Sequence, residues 1–242
     1  MPVNNIEDAA GIMLAEQETL VRRVPSILDQ LGEDDRRRLL SIGQRKTIEP
    51  EQSVFRQGDP HTGIYLIDSG RIRSYYSSPS GREITLAYWF PGNFVGAPEI
   101  FGGGKHLWTS SAVERTAVTF LCGPSLRQLA LESATIAVAL IDALAFKARC
   151  YTSMAQMLGT RSATERMEQL LVFLSTVYGL KIEGGTAIAM SFTHADFANL
   201  IGSTRQWVTV QLARLEERGI VEYNRGLLVI RQPGSLGLGK HH

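Results

Sequence analysis

Cys122 and Cys150 are the only two thiols in a chain of 242 residues. Two cysteines so far apart build neither a disulfide framework nor a four-thiolate metal or iron–sulfur centre, and they point to a reducing compartment. Long apolar runs are missing too. The best candidate, residues 134–146, is interrupted by Asp142, and a membrane span needs ~18 or more apolar residues. The first turns of sequence carry Glu7, Asp8, Glu16 and Glu18, the wrong charge for a signal peptide, so the cytoplasm is the expected location. An excess of either charge is absent as well: 25 Lys and Arg stand against 24 Asp and Glu, a net +1, where a nucleic-acid binder usually shows a basic surplus. The balance is uneven, however. Residues 161–242 hold nine basic against seven acidic side chains, and residues 203–215 hold two arginines and no acid. What the chain does have is core material: 44% of its residues are hydrophobic and 20% charged, which excludes a disordered chain and suits one large or two ordinary domains.

Four regions follow from the pattern. Residues 1–23 are polar and acidic and read as an arm or short helix. Residues 24–133 begin with a helical stretch (Ile27, Leu28, Leu31, Leu39, Leu40, Ile42) around a charged Glu33-Asp34-Asp35-Arg36-Arg37-Arg38 face, then turn to short β-branched and aromatic runs. Ile64-Tyr65-Leu66-Ile67, Ile72-Arg73-Ser74-Tyr75-Tyr76 and Ile84-Thr85-Leu86-Ala87-Tyr88-Trp89-Phe90 are punctuated by Gly58-Asp59-Pro60, Ser69-Gly70, Pro79-Ser80-Gly81 and Pro91-Gly92. That rhythm predicts an antiparallel β-barrel or jelly roll. In residues 134–160, Ala137, Leu144, Tyr151 and Leu158 recur at sevens beside Ile141, Ala148 and Ala155. This is a heptad-like stripe on a long helix, and its small residues favour a dimer seam over a buried core helix. Residues 161–242 open with a helix at about 164–178. The fold class is α+β.

The strongest local signal lies in residues 191–230. Thr193-His194-Ala195-Asp196 has capping-box spacing, Phe197, Leu200 and Ile201 make an apolar face, and Gly202 ends the helix. Ser203-Thr204-Arg205-Gln206 starts a second helix with Val208, Leu212 and Leu215 inward. Two short helices about a glycine turn make a helix-turn-helix, and Asn224-Arg225-Gly226 between two apolar runs adds a wing. Arg205, Gln206, Thr209 and Val210 lie opposite the buried face near the helix N-terminus, where a recognition helix meets base edges. Ser203, Thr204 and Arg214 suit phosphate contacts.

Barrel, long helix and winged helix-turn-helix, in that order, resemble the Crp–Fnr family of bacterial transcription regulators. The resemblance is carried by Phe55-Arg56-Gln57-Gly58-Asp59, Ile64-Tyr65-Leu66-Ile67-Asp68-Ser69-Gly70-Arg71, Pro91-Gly92-Asn93-Phe94-Val95-Gly96 and residues 193–215. It implies a homodimer on a two-fold related double-stranded operator, an effector pocket between barrel and long helix, a hinge near residues 159–162, and contact with RNA polymerase.

Departures within the family pattern bear on the effector. Cyclic-AMP-responsive members carry Gly-Glu and Arg-Ser pairs where this chain has Gly96-Ala97 and Trp108-Thr109, so a cyclic phosphate would lose its cation unless Lys105 or His106 supplied one. Fe–S-sensing members need an N-terminal cysteine cluster, absent from residues 1–60. For haem, His61, His106 and Cys150 are available, but a lone histidine in a loop is read as solvated. Tyr88, Trp89, Trp108, Lys147 and Tyr151 complete an aromatic and cationic set, and a Lys at this point of the helix resembles the branch that senses aromatic acids and halophenols. A salt bridge from Lys147 to Asp142 or Glu99 is the plain alternative. The effector is therefore read as a small aromatic or anionic ligand. A cyclic-nucleotide-responsive or ligand-independent regulator is the alternative, and a barrel enzyme with an accessory domain the remote one. No cofactor is expected. Gly102-Gly103-Gly104-Lys105-His106 lacks the phosphate-binding loop pattern and reads as a flexible hairpin tip, and no His/Glu cluster has metal-ligand spacing.

Overall fold

The computed structural model describes residues 11–12, 26–224 and 227–236. Most of the expected arm, Arg225, Gly226 and Lys240-His241-His242 lie outside the described residues. Where the arm is described it is a strand, β1 (Gly11–Ile12), rather than a helix. A 3-10 turn (Ile27–Gln30) and α1 (Glu33–Ser41) precede the barrel, and α1 carries the charged run outward through the exposed Arg37–Asp34 pair.

The strands β2 (Gly43–Ile48), β3 (Ser53–Phe55), β4 (Gly63–Ser69), β5 (Ile72–Ser77), β6 (Glu83–Trp89), β7 (Phe94–Val95), β8 (Thr109–Ala112) and β9 (Thr116–Cys122) form two antiparallel sheets, ordered β1-β6-β5-β8-β3 and β2-β9-β4-β7. Ile67, Ile72, Ala87, Trp89 and Val118 are almost fully buried and share one hydrophobic cluster, while Ile64 and Leu66, of the other parity on β4, belong to a second, as strand alternation demands. β1 pairs with β6 at Trp89 and Tyr88, so the arm closes the edge of the sheet beside the candidate effector residues.

A helix absent from the sequence reading follows, α2 (Gly123–Glu132), opened by Pro124 in its first turn, where a missing N–H costs nothing. Then comes α3 (Ala134–Thr160), 27 residues long, or roughly 40 Å at 1.5 Å per residue. Its inner face (Ile136, Ala139, Leu140, Ala143, Phe146, Lys147, Cys150, Met154, Met157) is buried. The two expected sevenfold rows separate: Ala137, Leu144, Tyr151 and Leu158 are half-buried, while Ile141, Ala148 and Ala155 face outward.

α3 stops at Thr160; Arg161 is extended, and Ser162 caps α4 (Ala163–Val177) in a reciprocal box with Glu165. The winged domain continues with β10 (Gly179–Ile182), β11 (Gly185–Ile188), α5 (His194–Ile201), α6 (Arg205–Glu217), β12 (Val221–Asn224) and β13 (Leu227–Ile230), its sheet ordered β10-β11-β13-β12. The hairpin β10–β11 is a second element the sequence reading omits. One hydrophobic cluster runs from Phe55 and Trp89 through Phe146 and Met157 to Phe197 and Val208, so the barrel and the winged domain share a core across the hinge.

Candidate effector and DNA-binding sites

The helix-turn-helix forms as its sequence dictates. The Thr193 hydroxyl accepts from the Asp196 amide while the Asp196 carboxylate accepts from the Thr193 amide, which satisfies two of the free donors at the start of α5. Gly202 sits at φ 65°, ψ 42° and closes the turn. A Cβ there would lie 3.1 Å from Leu158 in the last turn of α3 and 3.6 Å from Ile84 of the barrel, so glycine also serves close approach. Ala198 and Val208 fill the space between the helices. The Thr204 hydroxyl accepts from the Trp207 amide, which makes it a cap first. Arg205, Gln206, Thr209, Val210 and Arg214 are all exposed, and the first four share one face at helical spacing. Ser203 is half-buried at the turn.

The expected effector set divides into three places. Trp89, Trp108, Lys147 and Tyr151 come together where α3 crosses the barrel. Tyr151 is 6.5 Å from Trp89, edge to face, and 5.5 Å from Trp108. The Lys147 Nζ lies 3.3 Å from the Trp89 ring centroid and 4.6 Å from that of Phe94. Lys147 is 3% exposed, and among the described residues it has neither a hydrogen bond nor an ion pair. The salt bridge to Asp142 or Glu99 does not form. Burial lowers its pKa from 10.5 to about 7, because the interior disfavours an ammonium, and the neighbouring Cys150 offsets this only in part.

Tyr88 belongs elsewhere. Consecutive strand residues point to opposite faces, so Tyr88 turns from Trp89 toward the winged domain and donates to the Asp196 Oδ1 at 3.1 Å. Gly96, Ala97 and Thr109 form a third group around His61 and His106. The Gly96 carbonyl hydrogen-bonds the His61 Nε2, Ala97 is buried, and the Thr109 hydroxyl accepts from the Gln57 amide at 3.1 Å. Both histidines are buried rather than solvated. Their rings lie 4.1 Å apart, and His106 stacks on Phe55 at 3.7 Å. Burial, reinforced by His61, lowers the His106 pKa to about 4, so at neutral pH it cannot stand in for the missing phosphate cation. Nor is the glycine run a free tip: the His61 amide donates to Gly104 and the Gly103 amide to His61, tying the run to the neighbouring loop.

Sequence reasoning also missed the residues that join the two halves. The Arg82 guanidinium donates to the Gly202 carbonyl at 2.6 Å. Arg166 donates to the carbonyls of Ile201 and Arg161, each at 2.7 Å, and of Leu158 at 3.4 Å. Arginine's planar fork suits such shared anchoring, but nothing in local sequence marks it. A cleft of about 730 Å³ between barrel and winged domain is lined by Arg71, Phe90 and Met190. Tyr88→Phe removes one link without touching the Asp196 cap, and is expected to cost about 1 kcal/mol. Urea unfolding measures that loss, and faster hydrogen exchange at the start of α5 locates it.

A ligand-type β-barrel coupled through a long helix to an exposed recognition helix defines an effector-responsive DNA-binding regulator. The comparisons agree. Residues 45–133 match the cyclic nucleotide-binding domain, and residues 165–237 the Crp-like helix-turn-helix domain. The regulatory protein HlyX of Actinobacillus pleuropneumoniae is 26% identical over 81% of this chain and 81% of its own. The structure of the c-di-GMP-responsive global regulator CLP of Xanthomonas campestris superposes with TM-score 0.75 at 21% identity, covering 82% of this chain and 99% of that one. That of CprK complexed with OCPA gives TM-score 0.66 at 19% identity, covering 83% and 90%. The chain belongs to the Crp–Fnr family of DNA-binding transcription regulators, whose members here are regulators and not enzymes. Among the described residues no helix is long and apolar enough to cross a membrane.

Proposed function

We propose that the protein is a homodimeric cytoplasmic regulator whose effector, a small aromatic carboxylate or phenolate, is received at Lys147. The carrying observation is that ammonium, 3% exposed and without a hydrogen-bonding or ionic partner among the described residues. An anion satisfies the charge, and its ring takes over the aromatic surroundings of Trp89, Trp108 and Tyr151. A cyclic phosphate finds less: Ala97 replaces an acid, and the nearby His106 is neutral. Haem finds less still, since His61 packs on His106 and His106 stacks on Phe55.

Ligand contacts to the barrel and α3 would bias the hinge near residues 159–162, and with it the separation of two recognition helices on a two-fold related operator. RNA polymerase is then the partner at the promoter. A thermal-shift series with benzoate, chlorophenols and cyclic AMP, run on the wild type and on Lys147→Met, tests the effector class. Stabilisation by an aromatic acid that disappears in the variant supports it, and stabilisation by cyclic AMP in both proteins sinks it. For the DNA side, Arg205→Ala is expected to weaken operator binding about tenfold or more and to relax base preference at one position per half-site, as measured by fluorescence anisotropy on base-substituted duplexes.

A further inference from the structure

We infer that Thr209 reads the operator through its methyl group, and that His194 is the positioning residue that commits it to that role. The inference rests on α6 being the recognition helix. The Thr209 hydroxyl is spent twice inside the protein: it donates to the Arg205 carbonyl one turn back at 2.9 Å, and it bonds the His194 Nδ1 at 2.8 Å. With the hydroxyl proton on the carbonyl, the Thr209 oxygen must accept, so Nδ1 carries the imidazole proton. The bond to the carbonyl also fixes the rotamer of a β-branched side chain. What remains uncommitted on this exposed residue is the γ-methyl.

His194 is built in firmly. It is the first residue of α5, and its ring lies 4.8 Å from that of Tyr223 on β12. The Tyr223 hydroxyl donates to the Phe192 carbonyl at 2.5 Å, and its amide to the Glu216 Oε1 at 2.8 Å. Among the described residues the His194 Nε2 is buried without a partner. One imidazole thus ties the first helix, the recognition helix and the wing to a single threonine hydroxyl. Turning that hydroxyl toward a base would leave the imidazole N–H unpaired.

A methyl in the major groove has one specific partner, the C5-methyl of thymine. Thr209 and Val210 together then present adjacent apolar groups one turn beyond the polar readers Arg205 and Gln206, so the half-site contains a thymine read by Thr209 that is distinct from any read by Val210.

The test uses the full-length protein and duplexes selected by it from a random pool, with each thymine replaced in turn by uracil, which deletes only the methyl. For the wild type, one uracil position per half-site is expected to weaken binding about fourfold, the worth of one buried methyl-sized group of ~0.8 kcal/mol. Thr209→Ser, which keeps the hydroxyl, is expected to abolish that penalty, and Thr209→Val to retain it. His194→Ala is expected to blunt it, and His194→Asn, with an amide N–H where Nδ1 was, to restore it; a merely structural role would not be tracked by a single methyl. Val210→Ala must leave this penalty in place. A penalty that survives in Thr209→Ser, or vanishes in Thr209→Val, overturns the inference while leaving DNA binding intact. Failure of the wild type to enrich any duplex overturns the underlying assignment of α6 as well.

Discussion

Raising the pH from 7 to 9 is expected to stabilise the folded protein by about 2 kcal/mol through Lys147 alone, and Lys147→Met to remove that dependence. The folded-state pKa of Lys147 is lowered to about 7 from 10.5. Between those values the unfolded chain holds the proton and the folded chain does not, so stability rises with pH. Below pH 7 folding carries the cost of a buried ammonium, and the effect levels off. Opposing groups take over at the alkaline end. Burial raises the Cys150 thiol to about 11, and burial also raises the phenols of Tyr88, Tyr151 and Tyr178. Each of these holds its proton longer when folded, so above about pH 9 to 10 stability falls again. Urea denaturation at fixed ionic strength should show a maximum near pH 9. Lys147→Met, close in volume and without charge, should be more stable than the wild type at pH 7 and flat between pH 7 and 9. A wild-type profile already flat there would mean that Lys147 is solvated or ion-paired in solution.

Ile141→Glu is expected to turn the regulator into a well-folded monomer and to cost at least about a hundredfold in operator affinity. On the outer face of α3, Ala134, Val138, Ile141, Ala145, Ala148, Thr152, Ala155 and Gly159 recur at alternating intervals of four and three, a heptad seam in which Val138 is 54% and Ile141 60% exposed. Small residues let two such helices approach closely, while Ile141 supplies the apolar knob. A carboxylate at that knob would face its symmetry mate in a desolvated seam. In the single protomer it would stand in water, so circular dichroism should be unchanged. Light scattering separates the two states, and a dimer that survives this substitution would place the interface elsewhere.

The winged domain was legible because its determinants are local: the Thr193–Asp196 box, Gly202 and Val208 lie within sixteen residues and each has one structural meaning. The barrel strands were legible from alternation and turns. The sevenfold rows on α3 were visible too, but a straight helix drifts against a seven-residue repeat, and only packing on the barrel decides which row is inside. Pro124 stands in the first turn of α2 and Gly184-Gly185 at the β10–β11 turn, but α2 has no side-chain cap of the kind that announces α5. Nothing local could tell that the loops at residues 58–62 and 102–106 pair through their backbones and bury His61 and His106, or that Arg82 would meet a carbonyl 120 positions along the chain.

Tyr88 and Trp89 are adjacent residues of β6, one bonded to the cap of α5, the other covering Lys147. Inserting or deleting a single residue within β6 would therefore exchange the two, placing the phenol over the lysine and the indole against the DNA-binding domain. Length changes in the Ser78–Arg82 turn leave that parity untouched. Substitution and loop length can therefore retune either contact separately, while the phase of this one strand is held by both at once.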